Sequence, residues 1–164
     1  MGAVVVGGFR TVSKIITVPA PVETVLALLT SLDSPGASRA HLVGFDASSV
    51  VMAAGTRITE VRRHRGRTVR RTLVVDAVVP EGYLASGQIG GVRCRVALRA
   101  RASTAGVTRI MSDLHLEGRA DPVARLSRLI PGPLRDDRVF LALVGRDLVT
   151  LARSAMAIAG RAGG

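Results

Sequence analysis

PLRDDRVFLALVGRDLVTLARSAMAIA, residues 133–159, is the stretch whose reading decides the fold. At about 100° per residue, Phe140, Val144, Leu148, Leu151, Ala155 and Ile158 fall in one narrow arc, and Arg146 and Arg153 lie roughly opposite. The spacing predicts one amphipathic helix with a long apolar stripe. A stripe of that length has to be covered, so the rest of the chain must offer an apolar face to it.

Working back from the helix, the segment from Phe45 to Glu117 reads as strands and turns whose side-chain parity carries from one strand to the next. Val92, Cys94, Val96, Leu98, Ala100 and Ala102 alternate with Arg93, Arg95, Arg99 and Arg101, the pattern of a half-buried strand with a charged outer face. Gly90-Gly91 is a two-residue hairpin turn. It sets Ile89 opposite Val92, and so puts Gly87, Ala85 and Tyr83 on the inner face. Thr104-Ala105-Gly106 is expected to form a three-residue loop with glycine in the left-handed position. The next strand then turns Thr108, Ile110, Ser112, Leu114 and Leu116 inward and Arg109, Asp113, His115 and Glu117 outward. Three strands agree on one inner face.

The hairpin at 56–79 carries the most specific local inference. A turn at Arg65-Gly66 sets His64 opposite Arg67, Arg62 opposite Val69 and Ile58 opposite Leu73. The same register puts Glu60 across from Arg71. Ile58, Val69, Leu73 and Val75 mark that face as the apolar one, so an acid and a base are expected among aliphatics as a cross-strand pair. A one-residue slip would turn both to solvent.

Before this hairpin, Thr11–Val18 is a β-branched strand ended by Pro19-Ala20-Pro21. Pro21 suits the start of a helix, with Glu23 near its positive end and Val25, Leu28, Leu29 and Leu32 on its buried face. Asp33-Ser34-Pro35-Gly36 stops it. Short helices are expected at Ala37–Leu42 and Asp121–Leu129, the latter broken by Pro131-Gly132-Pro133.

The 164 residues suffice for one domain, read as 1–164 with a core from about residue 9 to 159. The single cysteine allows no intrachain disulfide, so a reducing, cytoplasmic setting is expected. The opening Met1–Gly8 lacks a basic n-region, and neither a signal peptide nor a transmembrane segment is read. With one Tyr, three Phe and no Trp, the core must be aliphatic. The net charge is +11, and Lys14 is the one lysine among 23 basic residues, an arginine bias of the kind GC-rich bacterial coding produces. The charge opens a second function class: a basic interaction module that meets RNA, a ribosome or an anionic membrane through Arg93, Arg95, Arg99 and Arg101. The scarcity of aromatics counts against nucleic acid, whose single strands stack bases on rings.

The element order is strand, one or two helices, an antiparallel meander and a long C-terminal helix, which is an α+β fold with the helices on one side of the sheet. That order resembles the helix-grip fold of the START/Bet v 1-like (SRPBCC) superfamily of polyketide cyclase/dehydrase and lipid-transport proteins. The resembling pieces are Ile16–Leu29 (ITVPAPVETVLALL), Gly55-Thr56-Arg57-Ile58, Gly66-Arg67, Val75–Leu84 (VDAVVPEGYL), Ala105–Ile110 (AGVTRI) and Arg146-Asp147-Leu148. The sequence departs from the pattern at Leu26, where an aromatic is common, and at Val107, where a second glycine is frequent. The resemblance implies a deep, mostly apolar cavity between a curved sheet and the C-terminal helix. It also implies a hydrophobic ligand of polyketide, lipid or isoprenoid type, held by a carrier or by a cofactor-free cyclase/dehydratase.

Parity and stripe give the same cavity a candidate lining. The strands contribute Ile58, Glu60, Arg71, Leu73, Tyr83, Val96, Leu98, Ile110 and Ser112, and the helix contributes Phe140, Val144, Leu148 and Leu151. Among these, Glu60 and Arg71 are the candidates for chemistry. Arg71 can hold a carboxylate, phenolate or enolate and Glu60 can act as acid or base, or the two can be a structural ion pair. Tyr83 can offer a hydrogen bond to a ligand or be an ordinary half-buried tyrosine. Ser112 has no His on its face, which makes it a minor cavity polar group, and Cys94 reads as a small core residue. His41, His64 and His115 lack ligand spacing, so no metal is expected. The glycine turns begin no phosphate loop, so no cofactor is expected. Oligomeric state is not encoded in these patterns.

Overall fold

The alternating segments fold as strands and the apolar-striped ones as helices. A computed structural model describes residues 5–6, 9–32, 42–64, 66–117 and 137–162; at 5, 6, 9, 10, 64, 67, 137–143 and 162 it describes the backbone alone. The elements are β1 (Val5–Val6), β2 (Phe9–Val18), α1 (Val22–Thr30), β3 (Gly44–Ala47), β4 (Arg57–His64), β5 (Arg67–Val79), β6 (Gly82–Ile89), β7 (Val92–Thr104), β8 (Val107–Glu117) and α2 (Asp137–Ala162). Every strand pair is antiparallel, and the order across the single sheet is β1-β2-β8-β7-β6-β5-β4-β3. From β3 to β8 the chain meanders, and β2 closes the sequence by pairing with β8. The sheet curls around α2 as a helix-grip fold. The expected helices at 37–42 (save Leu42) and 121–129, and positions 133–136 of the final helix, lie outside the described residues.

The registers follow the parity argument. Ile89 pairs with Val92, Gly87 with Cys94, Ala85 with Val96 and Tyr83 with Leu98 across the Gly90-Gly91 turn. Both turn glycines have positive φ, 55° and 85°, the twist that a two-residue hairpin needs. Val96 faces Leu114, Leu98 faces Ser112 and Ala100 faces Ile110 on the next pair. The inner side chains are therefore aliphatic in layers. Leu73, Ile110, Leu114, Leu116 and Leu148 are almost fully buried. Burial of each such side chain is worth roughly 1.5–3 kcal/mol, so these residues dominate the packing.

Four details differ from the sequence expectation. Thr104 pairs with Val107, so the loop is the two-residue Ala105-Gly106, and the extra residue is absorbed as an irregularity between Ala102 and Thr104. Ala102, at the start of this irregularity, is exposed. Ile158 is likewise exposed, because α2 continues to Ala162 after its last fully covered position, Ala155. Arg99, expected outside, is half-buried.

Small residues set how closely the elements meet. A Cβ on Gly87 would stand 2.0 Å from the Thr72 carbonyl oxygen, so only glycine lets β5 and β6 approach as they do. Lys14, the chain's one lysine, is on the inner face of β2 opposite Ser112. Its ammonium crosses over Gly145, 2.6 Å from where a Cβ would be. Glycine at 145 leaves room for that crossing, at some cost in helix propensity; a Cβ there would have to displace the flexible end of Lys14. Helix α1 buries Val25 and Leu29, with Leu32 beyond its end, against the sheet and α2.

Candidate functional site

Period-two alternation on β4 turns Ile58, Glu60 and Arg62 inward, and on β5 it turns Leu73, Arg71 and Val69 inward. The pairing places Glu60 directly across from Arg71 and Arg62 across from Val69. Helix α2 brings a second acid from the other side, Asp147, next to the buried Leu148. Four charged side chains thus close a ring. Arg62 donates from Nη2 to Glu60 Oε2 and from Nη1 to Asp147 Oδ1, the latter at 2.5 Å. Arg71 donates from Nε to the same Glu60 oxygen at 2.7 Å, pairs with it again through Nη2, and reaches Asp147 Oδ2 at 3.5 Å. Each arginine bridges both acids.

The ring is withdrawn from water to different degrees. Side-chain exposure is 5% for Arg62, 9% for Glu60, 13% for Arg71 and 25% for Asp147. Burial by itself pushes the Glu60 carboxyl up, but the Arg71 and Arg62 guanidiniums outweigh it and hold Glu60 below the usual carboxylate range. Burial by itself would lower Arg71; Glu60 and then Asp147 outweigh that and hold it above its ordinary value. Both groups stay ionised at neutral pH. The Arg62 Nε–H is buried and has no hydrogen-bond acceptor.

The ring forms part of the wall of a cavity of about 80 Å³ between sheet and helices. Of the residues expected to line it, Glu60, Arg71, Tyr83, Val96, Leu98, Ser112, Leu148 and Leu151 do. Ile58, Leu73, Ile110 and Val144 are buried in the surrounding core instead. The side chain of Phe140 lies outside the described residues. Among the described residues, Leu28, Leu29, Leu42, Arg62 and Asp147 also line it and were not assigned to it from sequence. Arg62 was legible, since it sits two residues beyond Glu60 and shares its parity. Asp147 sits beside the apolar arc of α2, but helix periodicity says nothing about which strands that flank will meet. The cavity is also far smaller than the deep hollow implied by the resemblance. Leu28 and Leu29 of α1 and Leu148 and Leu151 of α2 stand in its wall, although Ala85, Gly87, Ala100 and Ala155 are small.

Other candidates resolve into ordinary roles. Cys94 is buried, and burial pushes its thiol up to about 11, so it is not a thiolate nucleophile at neutral pH. His115 faces outward, and its Nδ1 shares a 2.9 Å hydrogen bond with the Thr11 hydroxyl. Among the described residues no group of three His, Cys, Asp or Glu side chains could hold a metal, and no helix is long and apolar enough to cross a membrane.

With this geometry in view, solved structures supply the comparison. The Zhui aromatase/cyclase from Streptomyces sp. R1128 superposes with a TM-score of 0.67 at 18% identity, over 93% of this chain and 94% of that one. A START superfamily protein from Mycobacterium smegmatis gives 0.59 at 15% identity, over 92% and 97%. Major latex-like protein 151 from Panax ginseng gives 0.64 at 10% identity, over 93% and 99%. At these identities the likeness is one of fold. The chain has the helix-grip architecture shared by START, Bet v 1-like and polyketide aromatase/cyclase structures. No family model and no curated protein matches the sequence.

Proposed function

We propose that the protein binds a hydrophobic small molecule of polyketide, lipid or isoprenoid type between its sheet and α2, with Arg71 orienting the polar end. The observation that carries this reading is the four-charge ring in the wall of a cavity whose other described lining residues are aliphatic except for Tyr83 and Ser112. Leucines would pack there without desolvating four charges, so stability alone does not account for the ring. Arg71 is the more reachable of the two arginines, at 13% side-chain exposure against 5% for Arg62. Tyr83 lies on the same cavity wall.

Binding is better supported than turnover. One structural neighbour is an aromatase/cyclase, and the catalytic form of this proposal would give Glu60 the proton transfer and Arg71 the developing oxyanion. A general acid or base works best with its pKa near the working pH. Glu60, held low by two arginines, is a weak base and no acid at neutral pH. A space of about 80 Å³ falls short of the roughly 300–1,000 Å³ of drug-sized sites. The cavity as it stands takes the polar end of a ligand, and a whole polyketide requires a helix to move outward.

Native mass spectrometry on gently purified protein tests the reading. The expected result is a small-molecule adduct that denaturing solvent releases, with lower occupancy in Arg71→Met. A protein that carries no adduct, and acquires none from a lipid and isoprenoid extract, would sink the proposal.

A further inference from the structure

The charge and hydrogen-bond inventory of the ring narrows the ligand class. We infer that the cavity selects uncharged hydrogen-bond acceptors, such as a ketone or ester oxygen on an apolar frame, over carboxylates and amines. The inference rests on the reading that this cavity binds a small molecule, and it adds what kind.

The first observation is charge balance. Glu60 and Asp147 against Arg62 and Arg71 sum to zero, and both carboxylates are already bridged by both arginines. A ligand carboxylate entering the cavity would make the ring's total negative and, among the described groups that line the cavity, would have to take an arginine from Glu60 or Asp147. A ligand ammonium would make the total positive and would have to take an acid from an arginine. Either way one buried charge is left short of a partner, the situation that removal of half a buried pair creates. An uncharged ligand disturbs none of the pairs.

The second observation is an excess of donors. A guanidinium carries five N–H groups and accepts nothing, whereas the two carboxylates are engaged as acceptors. One donor, Arg62 Nε, is buried with no acceptor at all. A donor without a partner in such a place carries a cost. The ring is therefore richer in donors than in acceptors, and a carbonyl oxygen at Arg71, the more exposed of the two arginines, supplies an acceptor without bringing charge.

The chain supplies its own reporter. Tyr83 is the one tyrosine in a sequence without tryptophan, and it lines the cavity, so tyrosine emission follows occupancy. The probes are 2-octanone, octanoate and octylamine, which share an alkyl chain and differ at the polar end. We expect 2-octanone to bind at least about tenfold more tightly than either charged probe. Asp147→Asn removes one negative charge and should move the octanoate-to-octanone affinity ratio about tenfold toward octanoate. Octanoate binding as tightly as octanone to the wild type would overturn the inference and leave the small-molecule reading standing. An unmoved ratio in a folded Asp147→Asn variant would also overturn it. If none of the three probes binds, the small-molecule reading fails and takes this inference with it. Should Asp147→Asn not fold, the wild-type comparison still decides.

Discussion

Arginine has opposite roles on the two faces of this sheet. On the inner face, Arg62 and Arg71 are 5% and 13% exposed and share two carboxylates. On the outer face, Arg93 is 77% exposed and stands 3.9 Å from Glu117, and Arg101 is 63% exposed and stands 2.8 Å from Glu81. The Arg101 pair is as short as many buried ones, so distance does not separate the two groups. Water does. At the surface each charge is solvated with or without its partner, and such pairs contribute roughly 0–1 kcal/mol. Inside, losing a partner exposes the remaining charge to a medium that cannot replace it.

The largest expected effect follows from the inner ring. Arg71→Met keeps most of the side-chain volume but leaves Arg62 alone against Glu60 and Asp147, an excess of one buried negative charge. We expect a stability loss on the order of 3 kcal/mol in urea unfolding. Adding Glu60→Gln restores the balance, leaving Arg62 with Asp147, and the double variant should recover at least half of that loss. A double variant no better than Arg71→Met would mean that packing, not charge, accounts for the effect. The two variants also separate the roles of Arg71. If it orients a ligand, occupancy stays low in the double variant while stability returns.

The contrast between faces also marks how far the sequence could be read. Parity propagates through a meander because each short turn fixes the register of the next pair. Arg65-Gly66 and Gly90-Gly91 were therefore enough to place Glu60 opposite Arg71 and Tyr83 opposite Leu98. Alternation then sorted the arginines by face, and Arg62 could have been sorted in the same way. Asp147 and the cavity volume were out of reach for a different reason. They depend on how α2 is rotated and how deeply it seats in the sheet, which are set by the sum of side-chain volumes and not by any periodicity. The exposure of Ile158 belongs with them, since periodicity shows which way a residue points and not where the covering element ends.

A smaller effect sharpens the comparison through pH. The folded-state pKa of Glu60 lies below its ordinary value of 4.5 because Arg71 and Arg62 outweigh the opposing effect of burial. The unfolded chain then binds the proton first as pH falls. The stability contributed by Glu60 is fully present above its ordinary pKa and is lost as pH drops through the lower folded value. Urea midpoints measured from pH 7 down through the acid range should fall more steeply for wild type than for the Glu60→Gln, Arg71→Met double variant. Superimposable profiles would show that Glu60 is not held low.

The smallest expected effect comes from the outer face. Arg93, Arg95 and Arg101 are exposed, and the Glu117 and Glu81 partners of Arg93 and Arg101 are themselves part-solvated. Each Arg→Gln change there should shift stability by no more than about 0.5 kcal/mol. Arg99, half-buried beside Met111 on β8, is the one position in this row where the aliphatic stem adds packing. It should therefore cost slightly more than its neighbours, and Arg99→Met should cost less than Arg99→Gln. Arg93 and Arg95, two residues apart on one face of β7, stand within a Debye length of each other, so their changes should couple weakly and in a salt-dependent way, whereas Arg101, six residues further along the strand, should add independently. A triple Arg93, Arg95, Arg101→Gln variant that unfolds would contradict the face assignment of β7. A triple variant that stays folded but loses a salt-sensitive association with RNA or anionic vesicles would give this face a binding role of its own. In that case the outer arginines would be kept for a partner, as we propose the inner ones are kept for a ligand.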